Sequence, residues 1–218
     1  MHAAHVALGA SFREEGDWRV PEAYGGPADE AARARGAVGL ADASACGKLL
    51  LRGDAIDALL ATAVGVERLP ARAAERVRVN GARTLACRLA EDELLLLTSL
   101  GETEIVAEVL ERAAASVCVH LTDMTSGLAV LDLLGPRARD LLARLSPLDL
   151  VPLAPLAIVQ GELARVHAIL VRLDRPDGFR ALVAREYGAF VWETLAAAGR
   201  ALGLVPVGAA ARALLEGE

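Results

Sequence analysis

The amino-acid sequence predicts an α+β fold made of a pseudo-duplicated β-α-β-β-α unit on antiparallel sheets. Three observations carry that prediction. A strand–Gly–helix stretch occurs twice, at Lys48–Leu51 with Gly53-Asp54 and at Leu128–Leu134 with Gly135-Pro136. A hairpin pattern occurs twice, Arg88–Asp92 into Glu93–Thr98 and Arg172–Gly178 into Phe179–Val183. The two Arg-Leu pairs stand apart by the same interval, to within two residues, as the two Gly breaks. Short hairpins join antiparallel neighbours, which disfavours a doubly wound parallel sheet.

In chain order, residues 1–38 are polar, with Gly25-Gly26-Pro27 as a turn and Ala28–Arg35 as a short helix. The terminal His2 and His5 read as part of a mobile end. Lys48–Leu51 is a strand, Asp54 a helix N-cap, and Ile56, Leu59, Leu60 and Ala63 form one apolar helix face. After the first hairpin Val106, Val109, Leu110 and Ala113 stripe a second helix, and Ser116–Leu121 is a strand between the halves. Leu128–Leu134 is apolar but for Asp132, as a largely buried strand would be. Gly135 frees the backbone and Pro136 opens a helix with Ala138, Leu141, Leu142 and Leu145 on one face. Tyr187, Phe190, Val191 and Leu195 stripe the last helix. The whole, 1–218, reads as one domain with halves at about 38–121 and 122–204.

Composition bounds the function. The chain is 54% hydrophobic but only 3% aromatic, so its core is Leu, Val and Ala. A net charge of −6 opposes an electropositive nucleic-acid surface. No stretch approaches the ~18 uncharged apolar residues of a membrane span, and no signal peptide is evident. Cys46, Cys87 and Cys118 are odd in number and scattered, which suits buried free thiols in a reducing cytoplasm. The four histidines lack metal-ligand spacing. His120, three residues before Asp123, is the one pair that suggests mutual orientation. There is no nucleophile elbow, phosphate-binding loop or dinucleotide fingerprint, so neither flavin, nicotinamide nor metal is expected on this chain. Leu148–Gly161 holds seven large aliphatic residues, two prolines and one charge. It is read either as a buried crossover or as a partner-facing loop.

The run Ala37-Val38-Gly39-Leu40-Ala41-Asp42-Ala43-Ser44, then Gly47-Lys48-Leu49 and Gly53-Asp54-Ala55, resembles the glycine-cleavage T-protein (aminomethyltransferase) family. So do Leu8-Gly9-Ala10, Trp18…Pro21…Tyr24, Leu134-Gly135-Pro136, Asp177-Gly178-Phe179, Trp192…Leu195…Gly199 and Ala211-Arg212. The resemblance implies that family's folate-binding fold and a link to one-carbon transfer to tetrahydrofolate. It also implies an Asp-Asp pair near residues 81–85, where Ala82 and Arg83 stand, and a pterin-binding glutamate from the stretch that here reads Arg175-Pro176-Asp177-Gly178-Phe179-Arg180, where Pro176 and Arg180 replace both of the family's glutamates. With Arg212 near the last residue of the sequence, the family's C-terminal barrel is not expected on this chain.

Leu148-Asp149-Leu150 through Gly161, Phe179–Val183 and the Arg185…Tyr187…Trp192…Leu195 run, together with the size, look closer to the gamma subunit of heterotetrameric sarcosine oxidase. On this likeness the chain is a T-protein-like subunit of an amine-demethylating complex, not itself catalytic, beside a larger flavoprotein-type subunit contacted through Leu148–Gly161. Tetrahydrofolate binds weakly or not at all, and Arg212 is the residue placed to touch it. The alternatives are an active tetrahydrofolate-dependent aminomethyltransferase and a stand-alone folate-binding or regulatory module.

Overall fold

A computed structural model describes residues 1–217 and divides into two compact units. One comprises Met1–Ala45, Leu128–Pro155 and the chain from Val159 on; the other comprises Cys46–Gly127 and Leu156–Ile158.

The smaller unit is a five-stranded antiparallel sheet in the order β5-β6-β7-β4-β8, with β4 Gly47–Arg52, β5 Ala73–Val79, β6 Ala82–Ala90, β7 Glu93–Thr98 and β8 His120–Asp123. Helices α3 (Ile56–Ala63) and α4 (Thr103–Ala114) bury Ile56, Leu59, Leu60, Val106 and Leu110 against Leu49, Leu51, Leu94 and Leu96. Alternate residues of β4 and β7 share that face, as the two-residue period of a strand requires. Gly53 has φ 151°, and a Cβ there would lie 2.1 Å from the Cys118 carbonyl oxygen. Its amide donates to the Asp92 carbonyl at 3.0 Å, tying the strand–helix break to the β6–β7 turn.

The larger unit repeats this plan. Its six-stranded sheet runs β10-β11-β12-β9-β3-β13, with β3 Val38–Asp42, β9 Leu128–Leu134, β10 Ile158–Leu163, β11 Val166–Leu173, β12 Gly178–Ala184 and β13 Leu204–Val207. Only β13 with β3 is a parallel pairing among the registers seen. Gly135, φ 112°, would place a Cβ 2.2 Å from the Ala34 carbonyl, and its amide donates to the Asp177 carbonyl at 2.7 Å. The duplication thus extends to one hydrogen bond. On one face α5 (Ala138–Leu142) and α6 (Gly188–Gly199) cover Ala129, Leu131, Leu133, Phe179 and Ala181. Residues of α2 (Pro27–Gly36) and α7 (Ala209–Glu216) form a second cluster with Ala41, Leu134, Val205 and Val207. The N-terminal α1 (His2–Ala7) and the hairpin of β1 (Ser11–Glu15) with β2 (Trp18–Ala23) complete the unit.

Each repeat is β-α-β-β-β-α, with one strand more than the sequence suggests. The extra strands are β5 and β10. Ser116–Leu121 is not a strand over its length: the Ser116 and Val117 amides bond back to Ala113 and Ala114 and finish α4, so β8 starts at His120. The halves read at about 38–121 and 122–204 differ from the units, because β3 pairs with β9 and β8 pairs with β4. The stripe read on α6 is also displaced. Val191, Trp192 and Leu195 are buried, whereas Tyr187 and Phe190 are 46% and 51% exposed.

Residues 148–161 are mostly structural. Leu150 and Ile158 are buried, and Leu148, Leu153 and Val159 pack on the larger unit's own core. The Ala74 amide donates to Leu156 O and the Ile158 amide to Arg72 O, at 2.7 and 2.8 Å, so this backbone is paired. A need to hide these side chains against another chain therefore falls away; Val151 alone is strongly exposed, at 73%. Among the described residues no helix is long and apolar enough to cross a membrane.

Candidate functional site

Odd-numbered residues of β9 enter the main core, so Asp132 faces the opposite side of the sheet, as does Leu134. The same alternation on β12 sends Phe179, Ala181 and Val183 into the core and Arg180 out the other way. Register sets Arg180 directly opposite Asp132. The guanidinium closes on the carboxylate with Nε–Oδ1 at 2.7 Å and Nη2–Oδ2 at 2.8 Å. Arg212, on α7, adds an Nη1 contact to Oδ2 at 3.4 Å, and its Nε pairs with Glu216 at 3.2 Å. Asp132 is 1% exposed, and two guanidiniums stand in place of water it has lost. Arg212, at 27%, reaches the surface. The Arg212 expected at a ligand is thus placed in an ion-paired cluster, between buried Asp132 and the more exposed Glu216.

The adjoining turn is held from within. Arg172 lies with its guanidinium 5.0 Å from the Phe179 ring centroid, donates to Gly178 O at 2.7 Å, and pairs with Asp177. Asp177 is therefore spent on the turn.

A second polar network is formed by residues far apart in sequence. His5 Nε2 lies 3.0 Å from Asp42 Oδ2, and its Nδ1 lies 2.8 Å from the Tyr24 hydroxyl. The ring stands edge-on to Trp192, with centroids 4.6 Å apart. Asp42 Oδ1 accepts the Ser44 amide at 2.9 Å. Glu30 joins by accepting the Tyr24 and Gly208 amides at 2.7 and 2.9 Å. Burial pushes the Tyr24 hydroxyl pKa upward, and the Asp42 and Glu30 charges add to that. Burial would raise Asp42 too, but hydrogen bonds from His5 and Ser44 outweigh it and hold the carboxyl below its usual range. His5 is 2% exposed and belongs to the core, not to a mobile end. The cue available in the sequence was the i, i+3 placement of two histidines in an alanine-rich, helix-forming terminus; what His5 meets is set by tertiary packing.

Other sequence candidates do not come together. His120 and Asp123 are three apart on β8, hence on opposite faces; Asp123 instead accepts the Thr125 amide at 2.7 Å. Cys87 is buried and Cys46 partly so, but Cys118 is exposed. Ala82 and Arg83 open β6 after the Asn80-Gly81 turn, and Arg83 lies opposite Arg78. Among the described residues no group of three His, Cys, Asp or Glu side chains suits a metal.

The model of the family described as the GCVT N-terminal domain matches residues 1–218. The chain is 32% identical to the aminomethyltransferase of Saccharopolyspora erythraea and 29% identical to that of Moorella thermoacetica, covering 97% of this chain in each case. It spans about 60% of the length of these aminomethyltransferases. It is also 30% identical, along its whole length, to 25% of sarcosine oxidase subunit alpha from Corynebacterium sp. (strain U-96). Its fold is similar to that of aminomethyltransferase T of the Bartonella henselae glycine cleavage system, with a TM-score of 0.86 at 22% identity over 99% of this chain and 60% of that one. A chain of the heterotetrameric sarcosine oxidase from Corynebacterium sp. U-96 superposes with a TM-score of 0.65 at 24% identity over 94% of both chains.

Proposed function

Because this chain belongs to the GCVT N-terminal domain family, we propose that it is a T-protein-like subunit of a cytoplasmic, folate-linked amine-demethylating assembly whose chemistry lies on another, flavoprotein-type chain. One observation carries the non-catalytic part. The resemblance puts the family's pterin-binding glutamate among positions where Pro176 and Arg180 now stand, and Arg180 is clamped at two points by buried Asp132. A pterin offers its ring N–H and amino donors to that carboxylate, and a guanidinium has donors only. Donor would face donor, so the residues present do not fit the pterin ring in that mode. Arg212 fits an anionic group through a charge-assisted bond, which is compatible with weak binding of the acidic end of a folate.

The sarcosine oxidase likeness supports the hetero-oligomeric part of the reading. The likeness to aminomethyltransferases favours a second reading, an active transferase whose carboxylate has moved.

Calorimetry with tetrahydrofolate separates them. Absent or millimolar binding, together with co-purification with a larger flavoprotein subunit from the same genome, is the expected result. Submicromolar binding with turnover of an aminomethyl donor would establish the transferase; tight binding without turnover would leave a folate-binding module.

A further inference from the structure

A cavity of about 490 Å³ lies in the larger unit between α6, the segment that follows α5, and the β10–β11 turn. It is separate from the Asp132 cluster and from the His5 network, sharing no residue with either. Arg144 and Arg165 both line it. Neither forms an ion pair among the described residues, and Arg144 makes one long hydrogen bond, to Ala198 O at 3.3 Å. Elsewhere Arg52, Arg88, Arg172, Arg180 and Arg212 each hold a carboxylate. Glu162 is the one acid in the lining, so the wall carries a net positive charge in a protein of net charge −6.

Phe190 forms an apolar side of the cavity while remaining 51% exposed. The floor is fixed by main chain. The Ala164 amide donates to Leu145 O at 2.8 Å, and the Ser146 hydroxyl donates to Glu162 O at 2.6 Å. The turn that presents Arg165 is strained: Ala164 and Arg165 have φ 52° and 67°, left-handed values that a residue with a Cβ adopts at a cost. The matching turn of the other unit uses Asn80 and Gly81, which take such angles at little cost.

We propose that this cavity binds a small planar aromatic carboxylate. The ring lies against Phe190, and the carboxylate is shared between the Arg144 and Arg165 guanidiniums, whose forked donors match its two oxygens. The site is independent of folate binding and of any partner subunit.

The test is a two-dimensional amide NMR titration of the full chain with 2-naphthoate, with 2-naphthamide as the uncharged control. Saturable shifts confined to residues 144–147, 162–166 and 190–194 are expected. Arg144→Ala and Arg165→Ala should each weaken binding about tenfold, as loss of a hydrogen bond to a charged group does. Phe190→Ala should weaken it severalfold, and Arg165→Lys, which keeps charge but not the fork, should fall between. All three positions are exposed, so thermal melts should stay close to wild type. Unsaturable or scattered shifts, equal binding of the amide, or indifference to both arginine variants would overturn the proposal.

Discussion

Asp132 and Arg180 are directly opposed residues of adjacent antiparallel strands, joined by two hydrogen bonds of 2.7 and 2.8 Å. With the carboxylate at 1% exposure and the guanidinium at 13%, the pair is nearly dry. Asp132→Asn takes from the nearly buried Arg180 guanidinium the carboxylate that clamps it and should cost about 3–5 kcal/mol in urea unfolding. The double variant Asp132→Leu/Arg180→Leu should recover most of that loss, because Arg212 retains Glu216. If the two changes instead add, the pair stabilises the fold beyond its desolvation cost.

Gly53 and Gly135 are a matched pair of a different kind. Both sit at positive φ where a Cβ would meet a carbonyl oxygen, and both donate to the turn of the following hairpin. Gly135→Ala and Gly53→Ala should each destabilise by more than about 2 kcal/mol, since steric conflict with backbone adds to left-handed strain. Gly65→Ala, also at positive φ but facing open space, should cost only about 1 kcal/mol. Chemical denaturation of the three variants checks the ranking.

Those glycines also explain what was legible in the sequence. β9 falls on Leu128–Leu134 as read, because an apolar run ending in Gly-Pro leaves little choice. β5 was within reach, since Asn80-Gly81 is the strongest short hairpin signal, although the polar Ala73–Val79 before it hides its strand character. β10 was not, because its turn is Ala164-Arg165, which carries no turn chemistry. Arg212 was singled out by resemblance alone. Its partner Asp132 depends on strand register and its neighbour Arg180 on the same register, and neither can be read along one strand. The His5 network spans residues 5 to 192, and a pattern of local spacing cannot encode it.

That network predicts an acid limb in stability. Burial by itself would raise the Asp42 pKa, but the hydrogen bonds from His5 and Ser44 hold it below the ordinary aspartate value, so the unfolded chain takes up a proton more readily. Its contribution is complete above about pH 4 and is lost as pH falls from there through the lowered native value. Denaturant midpoints measured between neutral and strongly acid pH should decline in that window, and Asp42→Asn should flatten the decline while lowering neutral stability. A decline of unchanged size in the variant would assign it to other carboxylates.

The hydroxyl of Tyr24 serves the same network from the other ring nitrogen of His5, at 2.8 Å. Tyr24→Phe removes one buried hydrogen bond while keeping the ring, and should cost about 1 kcal/mol. With Asp42→Asn the losses should be less than additive, because both variants loosen the same imidazole. A double-mutant cycle in urea reads the coupling directly, and strict additivity would mean that His5 is held by Trp192 packing alone.

The last prediction joins stability to the arginine-lined cavity. Ala164 and Arg165 hold left-handed angles that Asn and Gly adopt at little cost in the sister hairpin. Ala164→Asn/Arg165→Gly should therefore raise stability by about 1 kcal/mol, the relief of αL strain exceeding the added freedom of glycine in the unfolded chain. The same variant removes one of the two guanidiniums proposed to hold a carboxylate, so 2-naphthoate binding should fall about tenfold. Gain of stability with loss of binding is what a turn kept strained for a ligand must show. A stabilised variant that binds 2-naphthoate as the wild type does would leave the strain at Arg165 without a function.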